Sequence, residues 1–201
     1  MSIDHTLDVL PGATWINESA EASFDAEHGE LTVTASGRTD WFIDPASGES
    51  IGSAPALVAA IDDDFTLSAR VRVGFRSTFD AGVLVIRHSP TEWAKLCFEY
   101  SPQGRPMVVS VVTDGVSDDA NCTPIDGDEV YLRISRTGRA WLFHYSLDGR
   151  MWHFVRHFRL TSDAPSLVGF LAQSPTGEGS TTRFSEISRT STPPRDIRSG
   201  E

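Results

Sequence analysis

The sequence predicts an all-β fold of two antiparallel sheets, and two patterns carry that prediction. Short runs rich in β-branched and aromatic residues alternate with period two, among them "GELTVTAS", "DFTLSARVRVGF", "AGVLVIRH", "EWAKLCFEY", "PMVVSVVT", "VYLRISRTG", "RAWLFHYS" and "SLVGFLAQS". Turn formers such as "SPT", "SPQG", "DGD", "TGR", "LDGR" and "SDAP" separate them about every ten residues. Such spacing belongs to a sandwich or barrel of ten or more strands. "PALVAAI" at 55–61 is the one ambiguous run, helical by composition.

A chain of 201 residues, 39% hydrophobic and 22% charged, is long enough for one sizeable core and short for two. One domain is expected over residues 1–189. From Thr190 onward "TSTPPRDIRSGE" has no apolar pattern and two consecutive prolines, so it reads as a disordered tail. With no secretory pattern and no run of about 18 apolar residues, a cytoplasmic location is expected, away from any membrane. Cys97 and Cys122 are then expected to be reduced. The formal charge of -11 opposes phosphate backbones, which removes nucleic acid from the partners. The acidic clusters at 62–64, 117–119 and 126–129 read as solvated loops.

Each strand can be resolved into faces. In "AGVLVIRH", Leu84 and Ile86 point one way and Val83, Val85 and Arg87 the other; in "EWAKLCFEY", Leu96 and Phe98 oppose Trp93, Lys95, Cys97 and Glu99. Leu84, Ile86, Leu96, Phe98, Leu132, Ile134 and Phe170 form the expected core. An odd-numbered loop, "SPT" at 89–91, would set Arg87 on the same face as Lys95. Lys95 and Glu99 then lie about 13 Å apart along the strand, too far for an ordinary ion pair. A face mixing aromatics, aliphatics and a few fixed charges reads as the floor of a cleft.

These residues also resemble a known family. "TDW" at 39–41, "DAGVLVIR" at 80–87, "EWAKLCFEY" at 92–100, "VVT" at 111–113 followed by "SDD", "YSLDGRMW" at 145–152, "VR" at 155–156 and "VGFLAQSP" at 168–175 are together similar to the YesU-like, or regulation-of-enolase-like, proteins of the concanavalin A-like lectin and glucanase superfamily. The resemblance implies a two-sheet jelly roll with one concave sheet, and it places Arg156 and Gln173 beside the cleft. Where the family has "DQAG" and "SDW", this chain reads "DAG" and "SDD", so a loop aromatic is missing.

Catalysis is not expected. Glucanases of that superfamily set acids at alternate positions of one strand, whereas the candidate strand here reads "KLCFE" with Glu99 alone. A carboxylate beside Lys95 is expected to stay ionised, which suits binding better than general acid chemistry. No metal site or other cofactor is expected: His153 and His157 on a strand stand about 13 Å apart. "YSLDGRMW" reads as a turn, not as chemistry. The expected site therefore comprises Asp40, Trp41, Arg87, Trp93, Lys95, Glu99, Arg156 and Gln173, with a positive local balance. Its expected ligand is a small acidic carbohydrate, with Trp41 and Trp93 offering ring faces. The alternatives are a lyase or hydrolase acting on a sugar or uronate, and a regulatory module that binds a protein partner.

Overall fold

The computed structural model describes residues 7–201, so the first six residues of the expected domain lie outside it. Its strands, in chain order, are β1 (Thr14–Ile16), β2 (Glu21–Asp25), β3 (Glu30–Ser36), β4 (Trp41–Ile43), β5 (Ser50–Gly52), β6 (Ala56–Ala60), β7 (Phe65–Val73), β8 (Ala81–Ser89), β9 (Glu92–Tyr100), β10 (Pro106–Asp114), β11 (Val116–Pro124), β12 (Glu129–Thr137), β13 (Ala140–Ser146), β14 (His153–Phe158), β15 (Leu167–Gln173) and β16 (Gly179–Thr190). The front sheet runs β1-β6-β15-β8-β9-β10-β11 and the back sheet β14-β13-β12-β7-β16-β3-β2; β4 and β5 form a separate hairpin. All pairings are antiparallel, and no helix occurs among the described residues.

The alternation read from the sequence decides which side chains meet between the sheets. Leu84, Ile86, Leu96, Phe98, Leu132, Ile134 and Phe170 are all buried in one continuous core. The sheets approach closely at Gly82, where an added Cβ would lie 2.4 Å from Thr182 Cγ2 and 2.6 Å from Val71 Cγ1. "PALVAAI" is strand β6 and not helix. Its odd and even positions are both covered, Leu57 and Ala59 by the core and Ala56 and Val58 by the β4–β5 hairpin, so pairing and burial override helix propensity.

The β8–β9 register is the expected one, but the turn that sets it is not. Arg87 pairs with Trp93 and Val85 with Lys95, so Arg87 and Lys95 share a face. The loop is the two-residue Pro90-Thr91, and the odd count comes from a bulge between Arg87 and Ser89. His88 is the extra residue that restores the alternation.

Residues 191–201, expected to be disordered, lie against the outer face of the back sheet. Thr66 Oγ1 donates to Thr192 O at 2.9 Å, Arg133 Nη2 to Gly200 O at 2.8 Å, and His144 Nε2 meets Ile197 O at 3.0 Å. Main-chain carbonyls supply these contacts, which is why no apolar pattern marks the segment.

Candidate binding site on the outer face of the front sheet

Viewed away from the core, β8, β9, β10 and β15 present Val83, Val85, Trp93, Cys97, Val109, Val111 and Leu171, all buried beneath the β4–β5 hairpin. The face is therefore a second small core along its middle. The hairpin brings Trp41 edge-on to Trp93, with ring centroids 6.0 Å apart, and Ile43 N donates to Ser117 Oγ on β11 at 3.0 Å. Trp41 Nε1 donates to Ala54 O at 2.9 Å.

Lys95 stands at the centre of this arrangement and is 2% exposed. Its three ammonium protons match three acceptors: Asp40 Oδ1 at 3.1 Å, Trp41 O at 2.6 Å and Gln173 Oε1 at 2.9 Å. Burial disfavours the ammonium, but Asp40 and the other acids around it more than offset this, and the Lys95 pKa moves up. Lys95 is thus a charged strut that fastens the hairpin to the sheet. Gln173 extends the network by donating from Nε2 to Phe79 O at 3.3 Å. Asp80 fixes the adjoining turn, accepting from Arg76 N and Ser77 N at 2.9 Å each and from Ser174 Oγ at 2.7 Å. In that turn Phe79 has φ +69°, a costly conformation for a bulky residue, and remains exposed.

Beyond the hairpin the face opens toward Glu99. Glu99 is half-buried as a residue, stands opposite Ala81 and Met107 in the sheet, and its carboxyl receives no hydrogen bond from a described residue. Burial pushes its pKa up to about 8; Lys95 opposes the shift, whereas Asp119 and Asp40 add to it. The expectation that Lys95 would hold Glu99 ionised is thereby corrected, because the ammonium is already engaged by closer acceptors. Asp119 on β11 shares a row with Val111 and Lys95. Asp119 is exposed, and partial desolvation on its sheet side raises its pKa, against Lys95 and with Asp40. Sequence reading missed Asp119 by taking 117–119 as loop; the same residues form β11, whose alternation turns Asp119 to this face. The Cys97 thiol, buried beneath these acids, is raised well above its ordinary value, chiefly by burial.

The structure gathers Asp40, Trp41, Arg87, Trp93, Lys95, Glu99 and Gln173 on this face, but in altered roles. Trp41 and Trp93 are each 3% exposed, so neither offers an open ring face; Arg87 lies over Trp41 at 5.6 Å and Lys95 Nζ over Trp93 at 5.4 Å. Arg156 is elsewhere. It lies on β14, the edge strand of the back sheet, and there, beside a bulge opposite Phe143 and His144, it pairs with Asp118 at 2.8 Å. Without Arg156 and with Asp119 added, Lys95 and Arg87 stand against Asp40, Glu99 and Asp119, and the expected positive balance is absent.

Tyr145-to-Trp152 is a turn, as expected. Asp148 Oδ1 accepts from Arg150 N at 2.8 Å and Met151 N at 2.9 Å, and Gly149 has φ +71°. Cys97 and Cys122 are both free.

The fold is similar to that of a functionally unknown protein from Saccharomyces cerevisiae, at 26% identity with a TM-score of 0.81, over 92% of this chain and 98% of that one. The sandwich is also similar to the GH43 BlXynB protein of Bacillus licheniformis, with 16% identity and a TM-score of 0.67, over 89% of this chain and 37% of that one. For the xylan beta-1,4-xylosidase of Bacillus halodurans C-125 the values are 16% and 0.62, over 82% and 34%. This chain thus spans about a third of the length of those two proteins, and at that identity the likeness is one of fold. No protein with a curated description matches the sequence. Residues 15–192 match the model of the family described as "Protein of unknown function (DUF1349)", and the chain belongs to that family.

Proposed function

We propose that the protein is a carbohydrate-binding sandwich without catalytic activity, and that its site is the open end of the front sheet around Glu99 and Asp119. The observation that carries this reading is the Glu99 side chain, which receives no hydrogen bond from a described residue, with Asp119 on the same face and the Lys95–Asp40–Gln173 network beside them. A neutral carboxyl both donates and accepts, and an ionised one accepts twice, so together they match a row of sugar hydroxyls. The sugar-active sandwiches of similar fold support the ligand class by analogy. Three acids, Asp40, Glu99 and Asp119, stand on this face against Lys95 and Arg87, so a neutral sugar suits the site better than the acidic one read from the sequence. The resemblance to the YesU-like proteins, a cytoplasmic location and a reduced state belong to the same proposal.

Calorimetry with neutral oligosaccharides and with uronate oligosaccharides tests it. Neutral sugars are expected to bind; Asp119→Ala should weaken them about tenfold to a hundredfold, the effect of roughly 1.5–3 kcal/mol for a hydrogen bond to a charged group, and Glu99→Ala about two- to tenfold, the roughly 0.5–1.5 kcal/mol of a neutral one. Exclusive binding of uronates, lost in Arg87→Ala, would restore the acidic ligand instead.

One observation favours a second reading. A carboxyl poised at about 8 is protonated at neutral pH, as a general acid must be, and Asp119 is a second carboxyl on the same face. Release of reducing ends, or of an unsaturated uronate, from any of these sugars and its loss in Glu99→Gln would make the protein a hydrolase or a lyase.

A further inference from the structure

At the end of the sandwich remote from Glu99, a cavity of about 280 Å³ opens between the β8–β9 turn, the β12–β13 turn and the loop from Leu160 to Ser166. It belongs to neither the hairpin nor the Glu99 face. Its polar lining is cationic in a protein of formal charge -11: Arg136 and Arg139 against Asp163. Arg139 pairs with Asp163, an ion pair open to solvent on both sides. Arg136 has no carboxylate partner among the described residues. Its Nε donates to Gly138 O at 3.0 Å and its Nη1 to Ile61 O at 3.2 Å, while its guanidinium lies over Trp141 at 5.6 Å. These contacts fix the fork and leave Nη2 without a partner.

His88, the residue extruded by the β8–β9 bulge, forms part of the wall, and its side chain is 5% exposed. Its Nε2 meets Ser166 Oγ at 3.0 Å, but its Nδ1 is buried without a hydrogen bond. Glu92 does not serve it: the nearer oxygen is 3.8 Å away, and the other accepts from Ser162 N at 2.6 Å. Burial, helped by Arg136 and opposed by Glu92, holds the imidazole pKa below its ordinary value, so the ring is neutral and can offer one proton. The rest of the wall is apolar, formed by Trp141, Leu160 and Ala164.

We propose that this cavity binds a small organic monocarboxylate. Its carboxylate would be held by Arg136 and Arg139, and its apolar part would lie against Trp141 and Leu160. Among the lining residues two arginines less one aspartate leave a single positive charge, which Glu92 behind His88 reduces further, and this suits a monoanion better than a phosphate dianion. The apolar wall suits a carbon skeleton, which an inorganic anion lacks. The bulge at His88 acquires a purpose beyond register, because it carries a buried imidazole into the wall.

Calorimetry on the whole chain with acetate, lactate and benzoate, against acetamide, benzyl alcohol and inorganic phosphate, tests the assignment. At least one carboxylate should saturate with a Kd of about 1 mM or tighter, and its neutral analogue should not bind. Arg136→Gln should weaken it about tenfold or more, and the solvent-exposed Arg139→Gln provides the same test should the first variant fold poorly. Arg150→Gln, at the opposite end of β13, should leave binding unchanged, and the His88 ring protons should shift on titration. Equal affinity for neutral analogues, tighter binding of phosphate, no saturation by any carboxylate at about fifty times the expected Kd, or unchanged binding in both arginine variants would each overturn the proposal.

Discussion

Replacing Lys95 by methionine tests whether a single buried ammonium holds the β4–β5 hairpin on the sheet. Methionine keeps the length and apolar stem of the side chain but removes three hydrogen bonds, leaving Trp41 O, Gln173 Oε1 and Asp40 Oδ1 without their donor. Breaking a buried ion pair from one side costs about 3–5 kcal/mol. The Asp40 side chain is 15% exposed and can recover some water, which lowers the expectation to about 2–4 kcal/mol. For a chain of this size each kcal/mol moves the melting temperature by about 2–4 °C, so a fall of about 4–16 °C is expected. Urea unfolding read by tryptophan fluorescence should show the same loss, since Trp41 and Trp93 report the hairpin seat. In the Asp40→Asn background the cost of Lys95→Met should shrink, because a neutral amide tolerates losing the ammonium better. A loss below about 1 kcal/mol, or an equal cost in both backgrounds, would refute the strut and show that the apolar contacts seat the hairpin alone.

Three further outcomes are expected. Glu99 keeps its proton to about pH 8 when folded, against an ordinary value of 4.5, so between those limits the folded chain binds more protons than the unfolded one and stability should fall as pH rises; Glu99→Gln should flatten that decline and be the more stable form at pH 8, and parallel pH profiles for the two proteins would contradict the shift. Gly82→Ala places a methyl group against Val71 and Thr182 between the sheets and should lower stability by about 1–3 kcal/mol in chemical denaturation, a neutral effect arguing that the sheets can part there. A thiol reagent should modify exposed Cys122 in the native protein and reach Cys97 after unfolding; rapid native labelling of both would mean that the hairpin opens readily.

Period-two alternation is a local property, so the sandwich, its core set and the shared face of Arg87 and Lys95 were legible in the sequence. The tight turn at Asp148-Gly149 was legible for the same reason, since residue type alone restricts φ there. Everything that altered the site depends on contacts between distant segments. Residues 40–54 fold over the front sheet, hide Trp41 and Trp93 and engage Lys95; no pattern within those residues names the strand they cover. Asp119 joins the face because β11 pairs with β10, and Arg156 is absent from it because β14 belongs to the back sheet. The Glu99 pKa follows from the same cause: on sequence its neighbour is Lys95, whereas in the fold that ammonium is engaged by Asp40, Trp41 and Gln173, and burial prevails. Alternation tells a side chain which side of its strand to take, but what waits on that side is decided by long-range packing, and charge, burial and hydrogen bonding are set there.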